Sequence, residues 1–278
     1  MIRCQAPAKL NLSLKVSSAG ADGYHPLDSV VQTIELCDLL TVEASDADEL
    51  LVTDPSLDTP ENLVWRAVEA IRSTTDTGGL RLRLKKNIPH GSGLGGGSSN
   101  AAAVFKAIAK YSNVELNSEI LSKVGADVPL FMDGGTQRMT GIGDRLERLD
   151  PLAGFAIAVA VPGFGLSTAE VYSEWDRLGE PIGPLVPNSD LPDELRALGP
   201  IRNDLLPAAV AVDDRLSDFM HLLENEWGRS VSLTGSGSGC FGYFASVSEA
   251  EAAAEAVADR CRFSVGVRLR PHGVTALE

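Results

Sequence analysis

The stretch IPHGSGLGGGSSNAA, residues 88–102, puts five glycines within seven positions, directly before an alanine-rich run. Glycine lets backbone N–H groups come close to a ligand and take up positive φ. The start of a helix leaves unpaired N–H donors and a partial positive charge. Together these make an anion site, and phosphate is the usual anion. A merely flexible connection needs neither so tight a glycine run nor a helix straight after it. Two further positions carry side chains suited to moving a proton or steadying a charge. Lys9 and Asn11 project from one face of the alternating segment APAKLNLSLKV, a pattern that a solvated strand face shares. Asp127, in GADVP, follows a helical stretch and precedes Val128 and Pro129. A capping role for the next turn fits it as well as a base does.

Several phosphate motifs share these parts. The nucleotide-binding P-loop needs Gly-Lys-Ser/Thr at its end, whereas Gly97 is followed by Ser98 and Ser99. Gly91, Gly93 and Gly96 fit the GxGxxG spacing of dinucleotide sites, but the strand before them, LRLRLKK, is amphipathic and basic, unlike a buried parallel strand. The HRD and DFG signatures of protein kinases are absent. A second glycine turn, TGSGSG at 234–239, is either another anion nest or a hairpin turn. The turn DGYHP holds Tyr24 and His25 beside residues that turns favour.

The elements that must position these groups are legible in outline. Leu10, Leu12 and Leu14 alternate with Lys9, Asn11 and Ser13, which predicts a first strand. SVVQTIEL and LLTVEA read as two further strands. ENLVWRAVEAIRST has helical spacing, with Leu63, Ala67, Ala70 and Ile71 on one side. LRLRLKK alternates again. A helix follows the glycine loop, NSEILSKVG is a second helix running into ADVPLF, and TQRMTGIGDRLERL is a hairpin. FAIAVAVPG reads as a buried strand, and STAEVYSEWDRL as a helix with a Ser or Thr N-cap. Residues 179–200, with five prolines, read as a surface loop. Residues 203–227 are helical with a break expected near Pro207. SVSLTGSGSGCFGYFA is strand, turn and strand; a helix over SEAEAAAEAVADRC and a strand over FSVGVRLR follow. Strands and helices mix without strict alternation, which favours an α+β fold in two lobes, with domains expected at 1–150 and 151–278.

Composition bounds the rest. The 278 residues are 44% hydrophobic and 22% charged, enough for a substantial core, with a net charge of -14. That balance argues against nucleic acid or an anionic membrane as partner, and any phosphate site must gather positive potential locally. Cys4, Cys37, Cys240 and Cys261 are far apart with no CxxC pair, so reduced thiols and a cytoplasmic location are expected, without a zinc site or disulfide framework. The N-terminus has no long apolar run of the kind a signal peptide carries, and FAIAVAVPGFG is too short and broken to cross a bilayer.

The ordered set of blocks resembles the GHMP kinases. PHGSGLGGGSSNAA is similar to their phosphate loop, APAKLNLSLKV to their first motif, GADVPLF to their catalytic segment, and RNDLLPAA and LTGSGSGCF to their C-terminal blocks. Gly95, Gly96 and Gly97 before SSNAA, together with ADGYHPLDSVVQTIEL, resemble the branch acting on 4-diphosphocytidyl-2-C-methyl-D-erythritol. The resemblance implies a two-lobed fold: an N-terminal lobe like domain 2 of ribosomal protein S5 and a ferredoxin-like C-terminal lobe. It implies ATP and Mg²⁺, a cytidine-diphosphate-linked methylerythritol as small-molecule substrate, and a monomer or homodimer. It makes Asp127 the base and Lys9 its catalytic partner. It assigns Pro89, Gly91, Ser92, Gly93, Leu94, Gly95, Gly96, Gly97, Ser98 and Ser99 to ATP, with Ser98 or Ser99 able to reach the metal. Asn11 falls near the substrate hydroxyl, and Tyr24, His25, Tyr172 and, more weakly, Thr168 at the cytosine. A homoserine or mevalonate kinase, or a nucleotide-binding regulator without catalysis, remains an alternative at this stage.

Overall fold

In a computed structural model the structure describes residues 1–21, 23–112 and 116–277. Asp22, within the turn expected from DGYHP, lies outside the described residues.

The first sheet grows from two long antiparallel strands, β1 (Ile2–Val16) and β2 (Leu27–Ser45). Where two strands were expected over SVVQTIEL and LLTVEA, the chain forms one strand of 19 residues. A register shift carries it through: Pro7 faces Cys37 while Ala8 already faces Ile34, and Glu35 and Leu36 are accommodated between. A second shift lies between Asn11 and Ser13. Lys9 and Asn11 therefore sit between two bulges, which bend a strand and re-aim its side chains.

The first half of β2 pairs with β5 (Thr136–Gly141), and its second half with β4 (Gly79–Lys85). β5 forms the expected hairpin with β6 (Arg145–Arg148). Two strands absent from the sequence reading complete the sheet: β3 (Glu49–Val52), parallel to β4, and the C-terminal β11 (Thr275–Leu277), on the edge of β1. Against this sheet pack α1 (Leu63–Arg72), α2 (Gly96–Ser112), α3 (Ser118–Val124) and α4 (Leu130–Asp133). Leu80, Leu82 and Leu84 alternate from β4 into the core they share with Ala101, Val104, Phe105 and Ile108 of α2.

The second sheet orders β10 (Phe263–Arg268), β7 (Ala156–Val161), β9 (Cys240–Phe244) and β8 (Ser232–Leu233), all antiparallel. β7 is buried on both faces. Its Ala156, Ala158 and Ala160 pack under α5 (Thr168–Arg177), α7 (Leu206–Val212), α8 (Arg215–Trp227) and α9 (Val247–Ala256). Its Ile157, Val159 and Val161 meet Leu10, Leu12 and Ile34 of the first sheet. Small residues under helices and branched ones between sheets fit the spacing each face must fill. The break expected near Pro207 falls instead at residues 213–214, between α7 and α8; Pro207 lies in the first turn of α7, where its missing N–H costs nothing. Residues 179–200 are mostly irregular but include a 3-10 turn (Asn188–Asp190) and α6 (Asp193–Arg196). Among the described residues no helix is long and apolar enough to cross a membrane.

Candidate active site

α2 begins at Gly96, so the glycine loop runs straight into a helix N-terminus. The loop is held on both flanks. The Lys9 N–H donates to Leu94 O at 2.9 Å, and the Gly239 N–H donates to Ser92 O at 3.1 Å. Two glycines are obligatory here. A Cβ on Gly93, at φ 74°, would lie 2.4 Å from Thr234 O; one on Gly95, at φ 72°, would lie 2.7 Å from the Phe131 ring and 3.0 Å from Lys9 Cγ. The two glycine turns of the sequence are thus packed backbone against backbone.

Beneath the loop is an anchor that the sequence reading missed. The fully buried Asp38 carboxylate accepts from the backbone N–H groups of Asn87 (2.7 Å) and Ile88 (2.9 Å), from Asn100 Nδ2 (2.8 Å) and from Lys86 Nζ. Lys86 also donates to Asn100 Oδ1 at 3.0 Å. One carboxylate so ties the strand before the loop to the helix after it. Lys86 closes the basic strand and Asn100 belongs to SSNAA, so both stood in plain view. Asp38, 48 residues from Lys86, gave no local signal.

Above the anchor opens a cavity of about 570 Å³, lined by residues 89–98 together with Asn62, Leu63, Lys86, Asn100 and Thr168. Pro89, Gly91, Ser92, Gly93, Leu94, Gly95, Gly96, Gly97 and Ser98 all contribute to its wall. Ser98 is half-buried on that wall, whereas Ser99 is fully buried behind it with its hydroxyl unpartnered.

Lys9, on β1, packs against the glycine loop at Leu94 and Gly95. Its ammonium donates to Asn11 Oδ1 and lies 3.9 Å from Asp127 Oδ2. Burial pushes the Lys9 ammonium below the usual lysine range, with the Asp127 charge opposing that shift. Asn11 is fixed in turn: its Nδ2 donates to Ser29 Oγ at 2.8 Å, and its backbone N–H to Thr234 Oγ1 at 3.1 Å. The polar face of β1 is therefore buried rather than solvated, with Lys9, Asn11 and Ser13 at 6–7% exposure. Asp127 sits in the turn between α3 and α4, its side chain about one-third exposed. It caps nothing, because Pro129 holds the N-cap position of α4.

A second cluster forms where α5 meets the chain after β1. Ser167 caps α5, accepting from Glu170 N at 3.4 Å. Thr168, Tyr172 and Trp175 follow at helical spacing. The His25 ring lies 5.2 Å from Tyr172 and edge-on to Trp175 at 5.5 Å. Its Nδ1 faces Ser17 O at 3.1 Å, and since a carbonyl only accepts, Nδ1 carries the proton. Tyr24 stands 61% exposed nearby in sequence. The Tyr172 phenol is pushed up to about 12, by burial first and then by the charge of Asp127, so the aromatic cluster and Asp127 are electrostatic neighbours. Thr168, one turn earlier in α5, lines the glycine-loop cavity and shares a 2.8 Å hydrogen bond with Ser236 of the second glycine turn. Asn203, also missed, braces that turn by donating from Nδ2 to Leu233 O and Gly235 O, both at 2.8 Å. Among the described residues no group of three or more His, Cys, Asp or Glu is arranged to hold a metal ion.

The family model described as "GHMP kinases N terminal domain" matches residues 62–144. A relative from Chelativorans sp. (strain BNC1), a 4-diphosphocytidyl-2-C-methyl-D-erythritol kinase, is 34% identical over 93% of this chain and 92% of its own. A crystal structure of 4-(cytidine 5'-diphospho)-2C-methyl-D-erythritol kinase superposes with a TM-score of 0.79 at 33% identity, covering 96% of this chain and 99% of that one. A homoserine kinase from Cytophaga hutchinsonii shares the fold alone, with a TM-score of 0.69 at 14% identity over 99% and 97% of the two chains.

Proposed function

The chain belongs to the GHMP kinases, in the branch of the 4-diphosphocytidyl-2-C-methyl-D-erythritol kinases, and on that premise we propose how its residues divide the work. The enzyme transfers a phosphoryl group from ATP to the 2-hydroxyl of 4-diphosphocytidyl-2-C-methyl-D-erythritol. The observation that carries the reading is the convergence of Lys9 and Asp127, 118 positions apart in sequence, at 3.9 Å, with Lys9 packed directly against the glycine loop.

The N–H groups of residues 93–97 and the start of α2 receive the triphosphate, and Lys86, paired with Asp38 beneath the loop, holds that cradle in place. The described residues offer Mg²⁺ a hydroxyl and no cage, which fits an ion that would come with the nucleotide. Ser98, on the cavity wall, is the side chain that would hold it. The ion would neutralise charge on the phosphates. Phosphoryl transfer passes through a loose transition state, so alignment and charge neutralisation supply most of the rate. Asp127 accepts the proton of the attacking hydroxyl late in the transfer. Lys9 pairs with Asp127 and steadies the developing alkoxide, and Asn11 orients Lys9. At the other end Tyr24, His25 and Tyr172 form the cytosine pocket, Tyr172 offering a face for stacking. The first sheet with α1–α4 and the second with its helices serve as two lobes flanking the cleft.

The deciding experiment supplies ATP with a panel of alcohols and measures ADP release. Turnover is expected with the cytidyl methylerythritol and absent with homoserine and mevalonate. Equal turnover across the panel would remove the cytosine assignment while leaving a GHMP kinase.

A further inference from the structure

Trp175 organises the C-terminal end of α5 in a way the reaction does not by itself explain. Its indole Nε1–H donates to Pro181 O at 3.0 Å, and its own carbonyl accepts from the Glu180 N–H at 3.0 Å. Between these two bonds Glu180 is held at φ 61°, the one left-handed residue other than glycine among the described residues. A side chain bears that conformation only where its surroundings hold it there. From that backbone Glu180 reaches across to the segment after β1 and accepts a hydrogen bond from Ser18 Oγ. One turn back, Asp176 Oδ2 lies 3.4 Å from His25 Nε2. The two chain segments are also tied below: the buried Asp204 carboxylate accepts from Val16 N at 3.2 Å and from Gly183 N at 2.9 Å.

The segments so joined are the two walls of the aromatic cluster. Ser17 N–H donates to Pro26 O at 2.8 Å, and Gly20 N–H to Tyr24 O at 2.8 Å, so fixing Ser18 fixes the limb that presents Tyr24 and His25. None of these groups lines the glycine-loop cavity.

We propose that Glu180 is a positioning residue for recognition of the cytidyl group: it holds Ser18 from the end of α5, with Asp176 against His25, and so sets the spacing between the Tyr24–His25 limb and Tyr172. The proposal rests on the reading of that cluster as the cytosine pocket. Its consequence is selective. Loss of the contact loosens the pocket for the nucleobase of the acceptor and leaves ATP and the chemical step alone.

The test is steady-state kinetics on the full chain, with Tyr172→Ala as a control for the pocket itself. Glu180→Ala is expected to raise KM for the cytidyl substrate about three- to tenfold, with kcat and KM for ATP within about twofold of the parent. Glu180→Gln keeps an oxygen that accepts the Ser18 hydroxyl and is expected to restore the parental KM. Glu180→Gly relieves the left-handed conformation while removing the contact, so it is expected to raise KM as Ala does with a Tm at or above that of the Ala variant. A merely structural role would lower Tm and move all kinetic constants together. A parental KM in Glu180→Ala, with KM raised in Tyr172→Ala, would overturn the clamp and leave the pocket standing. A parental KM in both would overturn the pocket reading and the clamp with it.

Discussion

The floor of the glycine-loop cavity and the aromatic cluster at the end of α5 are built on opposite plans. The floor is main chain and buried charge. Asp38 gathers four donors out of reach of solvent, and the loop above it is closed in by Thr234, Phe131 and the Lys9 stem. The aromatic cluster is side chains from two distant segments, with Tyr24 well exposed and Asp176 half exposed. A triphosphate is the same in every substrate complex and rewards a rigid cradle. A nucleobase must be told from others, which calls for side chains whose identity and spacing can vary. On the proposed assignment, the difference teaches that the phosphate cradle is set by packed main chain and buried charge, and selectivity by what two segments bring to a shared edge.

Four experiments would break or sharpen that contrast. Asp127→Asn should lower kcat by about 10²–10⁴-fold with KM for ATP little changed, as expected for loss of a base at an intact cradle. A variant near parental turnover would put the chemistry elsewhere. Asp38→Ala leaves Lys86, the Asn100 amide and two backbone donors without this acceptor, and should cost about 3–5 kcal/mol in a denaturant titration. A loss under about 1 kcal/mol would show that the floor is less dependent on its anchor than its geometry implies. Tyr172→Ala should weaken the cytidyl substrate by about 1–3 kcal/mol, read in KM, while Tyr172→Phe stays near the parent. An effect on KM for ATP instead would move the aromatic to the other pocket.

The smallest effect is in pH dependence. Lys9 has a folded-state pKa below its unfolded one, so between the two values the unfolded chain binds more protons, and stability rises with pH there. Activity that needs the ammonium does the reverse and falls as pH rises through the folded value. The alkaline limb of kcat should therefore begin below the ordinary lysine value of about 10.4, while Tm does not fall over the same interval on account of Lys9. A kcat limb at or above the ordinary value would show that Lys9 is better solvated than its burial indicates.

What was legible in the chain follows the range of the interactions. The glycine loop, the alternation of Leu80, Leu82 and Leu84, and the Ser167 cap are written within a few residues and were readable as such. The pairing of Lys9 with Asn11 was visible on one strand face, yet burial of that face depends on the second sheet and on Thr234, more than 200 positions away. The continuity of β2 was hidden because its bulge interrupts the alternation that marks a strand. β3 and β11 are too short to show a period, and each exists because a longer neighbour offers an edge. Asp38 looked like one acid among many in an acidic chain. Its role appears only when β4 brings Lys86 and Asn87 alongside, and no spacing rule spans that distance.

The edge position of β11 has a consequence for how the molecule is made. Residues 275–277 hydrogen-bond to Arg3, Cys4 and Gln5, and just before them Val274 accepts from Lys106 and donates to Phe131 O. A ribosome delivers β1 well before its outer neighbour, so that strand waits with one border bare while some 270 residues emerge. Closure of the first sheet is thus coupled to synthesis of the residues that form the second, and a messenger truncated shortly before residue 274 would yield a polypeptide with an open seam at β1.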